Sequence, residues 1–148
     1  MTQKQSYTEA ARSFGHLLRS PYEKLSRRIY GELAQRGFPE IRFSHSSLLR
    51  TIAPEGSRLT DLAQQAGITK QSMAYIVSDL QDSGYVTHRP DPADGRAKLV
   101  CLTQRGEHLM ATMIEISQGI ADEINRTCGK DFLERLKSQL AKLDQALN

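Results

Sequence analysis

Residues 58–80, RLTDLAQQAGITKQSMAYIVSDL, contain two amphipathic patterns separated by a glycine. The first predicts a short helix with an apolar face made of Leu59, Leu62, Ala63 and Ala66. The second predicts a helix with apolar residues at i, i+3, i+4 and i+7, namely Met73, Ile76, Val77 and Leu80. Gly67 suits a left-handed turn between the helices, and Thr69 suits the N-cap of the second. Two short helices around such a turn form a helix-turn-helix.

The residues after this segment predict a β-hairpin. Gly84 closes the second helix, and residues 85–89 and 98–102 favour β-strands. Between them lies PDPADGR, residues 90–96, which is rich in turn-forming and charged residues. A hairpin with a polar tip directly after a helix-turn-helix is a wing.

Helical patterns also precede the central module. Apolar residues recur with a period near 3.6 over residues 7–35, which predicts a long helix. Pro21 lies inside this pattern and predicts a kink or a break at Ser20. A short second helix is expected to begin with Ser44 as its N-cap and to run through Ile52.

Two further helices are predicted at the C-terminal end. Thr103 is the expected N-cap of a long helix that breaks near Cys128 and Gly129. The final helix carries leucines at a 3-4-3-4 spacing, a narrow seam of the coiled-coil type: Leu133, Leu136, Leu140, Leu143 and Leu147. Such a seam packs either within its own chain or against a second copy. Apolar helices flank the small central module at both ends and exceed what it can cover, which favours a homodimer.

The composition restricts the class of protein. Hydrophobic residues make up 39% and charged residues 25% of the 148 residues, as in globular chains. No apolar run approaches the roughly 20 residues that span a bilayer, and the first residues lack the apolar core of a secretory signal. A cytoplasmic location without a membrane partner is therefore expected. Cys101 and Cys128 form neither a disulfide framework nor a CxxC pair, and the histidines lack metal-binding spacing, so no metal or other cofactor is expected.

The charge is distributed unevenly along the chain. The formal net charge is +3, and residues 1–50 carry nine Lys and Arg against four Glu. Residues 58–100 carry five Lys and Arg against five Asp. A nucleic-acid surface in this middle segment must therefore depend on the arrangement of its charges and not on their number.

Several motifs in residues 43–106 resemble the MarR family of bacterial transcription regulators. The helix-turn-helix contributes Leu59-x-x-Leu62-Ala63 and Gly67-Ile68-Thr69, and Gly84-Tyr85-Val86 follows. The most specific piece is Arg89-Pro90-Asp91-Pro92-x-Asp94-x-Arg96, followed by Leu102-Thr103-x-x-Gly106. The resemblance implies a homodimeric, sequence-specific regulator of transcription that binds pseudo-palindromic double-stranded DNA. Many members are repressors released by small, often aromatic, anions, by oxidants or by a metal.

The expected fold is mainly α with a small β wing. A winged helix-turn-helix DNA-binding region, residues 43–103, is expected between two helical dimerisation regions, residues 1–36 and 104–148.

The outward face of the second helix of the helix-turn-helix is the first candidate DNA surface: Thr69, Lys70, Gln71, Ser72 and Tyr75. Gln71 can pair with adenine, and Lys70 can reach guanine or phosphate. Thr69 at the helix N-terminus suits a phosphate, and Tyr75 a thymine methyl group or a phosphate. The alternative for any one of these residues is an ordinary solvated surface.

The wing is the second candidate. The resemblance implies that Arg96 enters the minor groove with its guanidinium oriented by Asp94, and arginine suits the negative potential of a narrow groove. Arg89 and Lys98 are expected to contact the DNA backbone, and Arg58 is a further candidate. Gly95 stands where many relatives carry another arginine, so weaker non-specific affinity than in a typical member is expected.

A small-molecule effector site is a further expectation from the resemblance, at the junction of the dimerisation helices and the winged domain. The candidate residues are His16, Tyr22, His45 and His108, and the arginines of residues 1–50 favour an aromatic or anionic ligand. For each of these residues, a surface or core position is the simpler interpretation.

Two other functions stay open. The zero net charge of residues 58–100 is compatible with a winged helix that binds another protein. Cys128 lies beside Arg126 and Lys130, which makes it the candidate for a redox-responsive thiol, whereas Cys101 is expected to be a small buried side chain. An enzyme is not expected, because the sequence has no nucleophile motif, P-loop or GxGxxG.

Overall fold

The computed structural model describes residues 13–147. Its first helix, α1 (Phe14–Gln35), begins at Ser13, whose Oγ accepts a hydrogen bond from the His16 amide at 3.3 Å. The expected start near Tyr7 lies outside the described residues. A kink or a break was expected at Ser20, and the break does not occur, because the helix continues through Pro21. A proline removes one amide donor, and the turns on either side keep the remaining helical bonds.

A tight turn leads into the helix-turn-helix. It comprises a 3-10 helix (Phe43–His45) and the short helix α2 (Ser46–Leu49). The prediction of Ser44 as N-cap is wrong, since Ser44 lies inside the 3-10 helix and α2 ends before Ile52. The reason is a local bond: the Arg42 amide donates to Nδ1 of His45 at 3.1 Å, which starts the helical turn earlier.

The helix-turn-helix forms as predicted. It consists of α3 (Leu59–Ala66) and α4 (Lys70–Asp82), and Gly67 between them has φ of 66°. The predicted apolar face of α4 is buried: Met73, Ile76, Val77 and Leu80. This burial leaves the opposite face of α4 available for contact with another molecule.

The predicted hairpin is part of a three-stranded antiparallel sheet of order β1-β3-β2. The strands are β1 (Ser57–Arg58), β2 (Val86–Asp91) and β3 (Asp94–Leu102). Pro92 and Ala93 alone separate β2 from β3, so the loop is shorter than the predicted residues 90–96. A register irregularity between Pro90 and Asp91 accommodates this short connection. The sequence analysis missed β1, since a strand of two residues has no recognisable pattern.

The last helices are α5 (Gln104–Cys128) and α6 (Phe132–Ala146), in agreement with the predicted break near Gly129. The chain divides into two compact units, Met1–Met110 and Ala111–Asn148. In the first unit, the fully buried side chains include Leu48, Leu62, Met73, Leu80 and Tyr85. This core supports the helix-turn-helix and the sheet.

Candidate nucleic-acid interface

The N-terminus of α4 presents exposed polar side chains. The Thr69 hydroxyl accepts from the Ser72 amide at 3.1 Å and donates to the Ser72 Oγ at 2.8 Å. Thr69 is therefore the predicted N-cap, and its hydroxyl is engaged within the helix end. Lys70, Gln71 and Ser72 are exposed, and Tyr75, one turn later, is 74% exposed. An exposed aromatic ring of this size on a polar helix face is available for a partner.

Asp79 introduces a negative charge into α4, and two side chains from the preceding turn compensate for it. Arg42 donates through Nη2 to Oδ2 of Asp79 at 2.7 Å, and His45 bonds the same oxygen through Nε2 at 2.8 Å. The hydrogen bond from His45, followed by that from Arg42, holds the pKa of Asp79 below its ordinary value. The residue therefore stays ionised, with its charge compensated, at neutral pH.

A second acid is compensated inside the sheet. Asp91 is 7% exposed and accepts two bonds from Arg58, from Nε at 2.8 Å and from Nη2 at 2.5 Å. Its other oxygen accepts from the Ala93 amide at 2.9 Å. The bond from Ala93, and then that from Arg58, lowers the pKa of Asp91. Arg58, a candidate DNA contact from the sequence, is thus bound to the base of the wing.

The basic residues of the wing itself are exposed. Arg89, Arg96 and Lys98 point to solvent, and among residues 13–147 none of them forms an ion pair. The Asp94 carboxylate accepts from the backbone amide of Arg96 at 3.1 Å. No bond between that carboxylate and the Arg96 guanidinium is present among the described residues. Asp94 therefore orders the backbone at Arg96, and the guanidinium of Arg96 stays available for contact with another molecule.

The folded chain explains how the neutral middle segment can present positive charge. Two of its five acids, Asp79 and Asp91, are compensated by arginines, and one of these arginines, Arg42, lies outside the segment. Lys70 and the wing cations have no ion pair within the part of the chain that the structure describes. The surface consequently has more unpaired positive charge than the count along the sequence indicates.

The Leu-Thr-x-x-Gly motif fixes the wing to the start of α5. The Thr103 hydroxyl donates to the Gly84 carbonyl at 2.6 Å and accepts from the Gly106 amide at 3.1 Å. A Cβ on Gly106 would overlap the Tyr85 carbonyl oxygen, so no side chain fits there. The threonine and the glycine of the motif thus have a packing role.

A cluster of polar groups surrounds Tyr85, which the sequence analysis did not identify. The Tyr85 hydroxyl donates to Glu40 at 2.9 Å, and Arg105 bonds both the hydroxyl at 2.9 Å and Glu40 at 3.1 Å. The Arg105 guanidinium also lies 4.6 Å from the centroid of the Tyr85 ring. These residues are separated by up to 65 positions, so no local pattern could have predicted the cluster.

An aromatic cavity of about 420 Å³ lies between α1 and the 3-10 turn. Tyr22, Tyr30 and Phe43 form its aromatic walls. The Phe43 ring centroid lies 6.0 Å from that of Tyr22 and 6.1 Å from that of Tyr30, both edge to face. Ser26, Glu23 and Arg27 complete the lining. Burial raises the pKa of Tyr30, which keeps its hydroxyl protonated.

The four candidate effector residues occupy different environments. Tyr22 lines the aromatic cavity, whereas His45 is 3% exposed and bonded to Asp79. His108 lies against Phe38, with ring centroids 5.4 Å apart. His16 is exposed on α1 and does not line this cavity. The simpler interpretation, a core position, therefore applies to His45.

The two cysteines occupy different environments. Cys101 is buried, as predicted, and Cys128 is exposed. Residues 13–147 contain no group of three His, Cys, Asp or Glu side chains placed to hold a metal ion. In the same residues, every helix is too short or too polar to cross a bilayer.

The fold and the exposed face of α4 define a winged helix-turn-helix protein. Residues 41–97 match the model of the MarR family. The transcriptional regulator HosA of Escherichia coli O111:H- is 29% identical over 118 residues, which are 78% of this chain and 84% of HosA. Residues 41–97 thus match the MarR family, and the chain is similar over most of its length to a bacterial transcriptional regulator.

Solved structures have the same fold. The transcriptional regulator Tm0710 of Thermotoga maritima is 26% identical, with a TM-score of 0.60 over 90% of this chain and 93% of that one. The transcriptional repressor CouR, solved with a 23-mer DNA duplex, is 21% identical, with a TM-score of 0.71 over 92% of this chain and 95% of that one.

Proposed function

We propose that the chain represses transcription as a homodimer on a pseudo-palindromic duplex site. The observation that carries the proposal is the exposed N-terminal half of α4, with Lys70, Gln71, Ser72 and Tyr75 opposite its buried face. A helix anchored on one side and polar on the other can enter a major groove, where its first residues meet base edges. Gln71 and Lys70 supply the side chains that discriminate bases.

The wing extends this surface to the DNA backbone. Arg96 enters the minor groove, and Arg89 and Lys98 contact phosphates. The exposure of all three side chains and their lack of ion pairs within residues 13–147 support these roles. Gly95 supplies no charge at the tip, so non-specific affinity is lower than in relatives with an arginine there.

The homodimer is supported by apolar side chains that one chain leaves exposed. On α6 and its C-cap, Leu136 and Leu140 are each 40% exposed and Leu147 is 72% exposed. On α1, Phe14 and Leu17 are 61% and 63% exposed. Leaving this much apolar surface in water is unfavourable. A second copy of the chain carries the same apolar surfaces, so the two copies can cover each other. The predicted seam of Leu133, Leu136, Leu140, Leu143 and Leu147 belongs to this interface.

The effector is a small aromatic anion bound in the aromatic cavity. The cavity has the volume of a small-ligand site and three aromatic walls, and Arg27 supplies a cation for a carboxylate. Glu23, the acid in the lining, is paired with Arg19 at 2.6 Å, which reduces its repulsion of an anion.

One experiment tests the DNA-binding proposal directly. Duplexes bound by the protein are selected from a random library, and the enriched sequence is titrated by fluorescence anisotropy. An inverted repeat bound in a steeply salt-dependent manner is expected, with a slope of log Kd against log salt of about 5 in magnitude for about six phosphate contacts. No enrichment, together with recovery of a protein partner, would favour the protein-interaction alternative.

A further inference from the structure

A single turn separates the aromatic cavity from the DNA-binding helix. Phe43 lies in the 3-10 helix, and its ring forms one wall of the cavity against Tyr22 and Tyr30. A ligand that fills the space between these three rings contacts Phe43. The backbone that carries Phe43 is therefore the first part of the winged region to respond.

The residues on either side of Phe43 hold the recognition helix α4. Arg42 and His45 bond the same Asp79 oxygen, at 2.7 and 2.8 Å. His45 Nδ1 accepts from the Arg42 amide, so Nε2 carries the hydrogen and donates to Asp79. His45 is 3% exposed, so its ring is shielded from water. The turn and Asp79 are thus joined by two short bonds to one oxygen.

Asp79 lies one turn after Tyr75 on the same helix. A cleft of about 100 Å³ beside them is lined by Arg42 and Ser44 of the turn together with Tyr75 and Asp79. A displacement of the turn therefore reaches Tyr75, a proposed DNA contact that is 74% exposed. Short charge-assisted hydrogen bonds tolerate little stretching. When the turn is displaced, either Asp79 moves with it or the bonds to Asp79 break.

We propose that Asp79 is a positioning residue through which the turn Arg42–His45 transmits occupancy of the aromatic cavity to the recognition helix. The inference rests on the proposed function, because it assigns the regulation of that DNA surface to that cavity. The ligand acts by displacing Phe43, and the bonds from Arg42 and His45 convert this displacement into a change in the position of Tyr75 and the helix N-terminus. Allosteric coupling of this kind requires a differential contact in the two states, and Phe43 provides it.

The test fills the aromatic cavity with a side chain of the protein itself, in place of an added ligand. Ser26→Phe places an aromatic ring in the cavity, and Ser20→Phe on the same helix, at a position that does not line the cavity, is the control. Each substitution is made both with Asp79 intact and together with Asp79→Ala, and DNA affinity is measured with the selected duplex. Ser26→Phe is expected to weaken binding about fivefold or more when Asp79 is intact and less than about twofold in the Asp79→Ala background.

Hydrogen exchange provides a second measurement that does not require DNA. Ser26→Phe is expected to alter exchange of the α4 amides with Asp79 present and not with Asp79→Ala. Asp79→Asn, which keeps an acceptor for His45, gives an intermediate response and replaces the alanine variant if that chain fails to fold. Equal effects in both backgrounds, or no effect of Ser26→Phe on either measurement, would overturn the relay. If no duplex is bound at all, the proposed function fails, and exchange alone decides whether the cavity and α4 are coupled.

Discussion

Arg58 donates from both Nε and Nη2 to a single oxygen of Asp91, at 2.8 and 2.5 Å, across 33 positions of the chain. The pair joins the first strand of the sheet to the end of the second, beside a loop of two residues. The other Asp91 oxygen holds that loop through the Ala93 amide. The shape of the wing thus depends on a buried acid whose partner comes from the start of the helix-turn-helix.

Asp91→Asn is expected to loosen the wing. The amide cannot reproduce both the charged pair with Arg58 and the bond from Ala93, so the Tm falls by a few degrees and exchange of the 86–102 amides accelerates. Thermal unfolding and hydrogen exchange measure the two effects. Asp82→Asn, an exposed change at the end of α4, serves as the control. Identical exchange in the two variants would contradict the role of Asp91.

Stability is expected to fall on acidification below about pH 4. His45 and Arg42 lower the pKa of Asp79, and the Ala93 amide and Arg58 lower that of Asp91. Since both pKa values are lower in the folded chain, the stabilisation is complete above the unfolded carboxylate pKa and is lost as the pH falls through the folded values. Urea titrations between pH 6 and about pH 2.5 measure it. Asp91→Asn should reduce the slope of unfolding free energy against pH.

Gly106→Ala is expected to destabilise the winged unit. The Cβ of the new alanine would overlap the Tyr85 carbonyl oxygen. Because this oxygen belongs to the backbone, it can move only if the segment that leads into β2 shifts. The loss of unfolding free energy should be about 2 kcal/mol or more. Gly119→Ala in the same helix meets nothing within 4 Å and should be neutral or stabilising by up to about 1 kcal/mol. Equal denaturation midpoints for the two variants would contradict the close approach of Gly106 to the Tyr85 carbonyl oxygen.

Arg96→Ala is expected to weaken DNA binding without unfolding the chain. Loss of one exposed cation should lower the magnitude of the salt slope by about 1 per site. Anisotropy titrations over a range of salt concentrations measure this change, and circular dichroism checks the fold. Lys137→Ala, which removes an exposed cation from α6, should leave the slope unchanged. An unaltered slope for Arg96→Ala would remove this residue from the interface.

Leu136→Glu combined with Leu140→Glu is expected to dissociate the proposed homodimer. Both leucines are 40% exposed in the single chain, and a charge in a buried seam is strongly unfavourable. Light scattering should give twice the chain mass of 16.6 kDa for the unmodified protein and the single mass for the double variant. Gln139→Glu on the same helix is the control. A monomeric unmodified chain would contradict the dimer at once.

Local patterns in the sequence predicted most elements correctly. The spacing of Met73, Ile76, Val77 and Leu80 indicated α4 and its buried face, and Gly67 and Thr69 indicated the turn and the cap. These features depend on backbone periodicity and on bonds within a few residues. A break at Pro21 does not occur, because neighbouring helical bonds outweigh the proline. The prediction for Ser44 failed, because a bond from Arg42 to His45 moved the start of the turn.

The neutral segment 58–100 shows why the remaining features required the folded chain. In the sequence, its aspartates cancel the positive charge that would attract nucleic acid. In the folded chain, Asp79 is compensated by Arg42, 37 positions away, and Asp91 by Arg58, 33 positions away. The residues themselves set which faces are apolar and where helices start. Tertiary packing alone decided which charges meet, because Coulomb attraction and hydrogen bonding depend on distances in space that separation along the chain does not reveal.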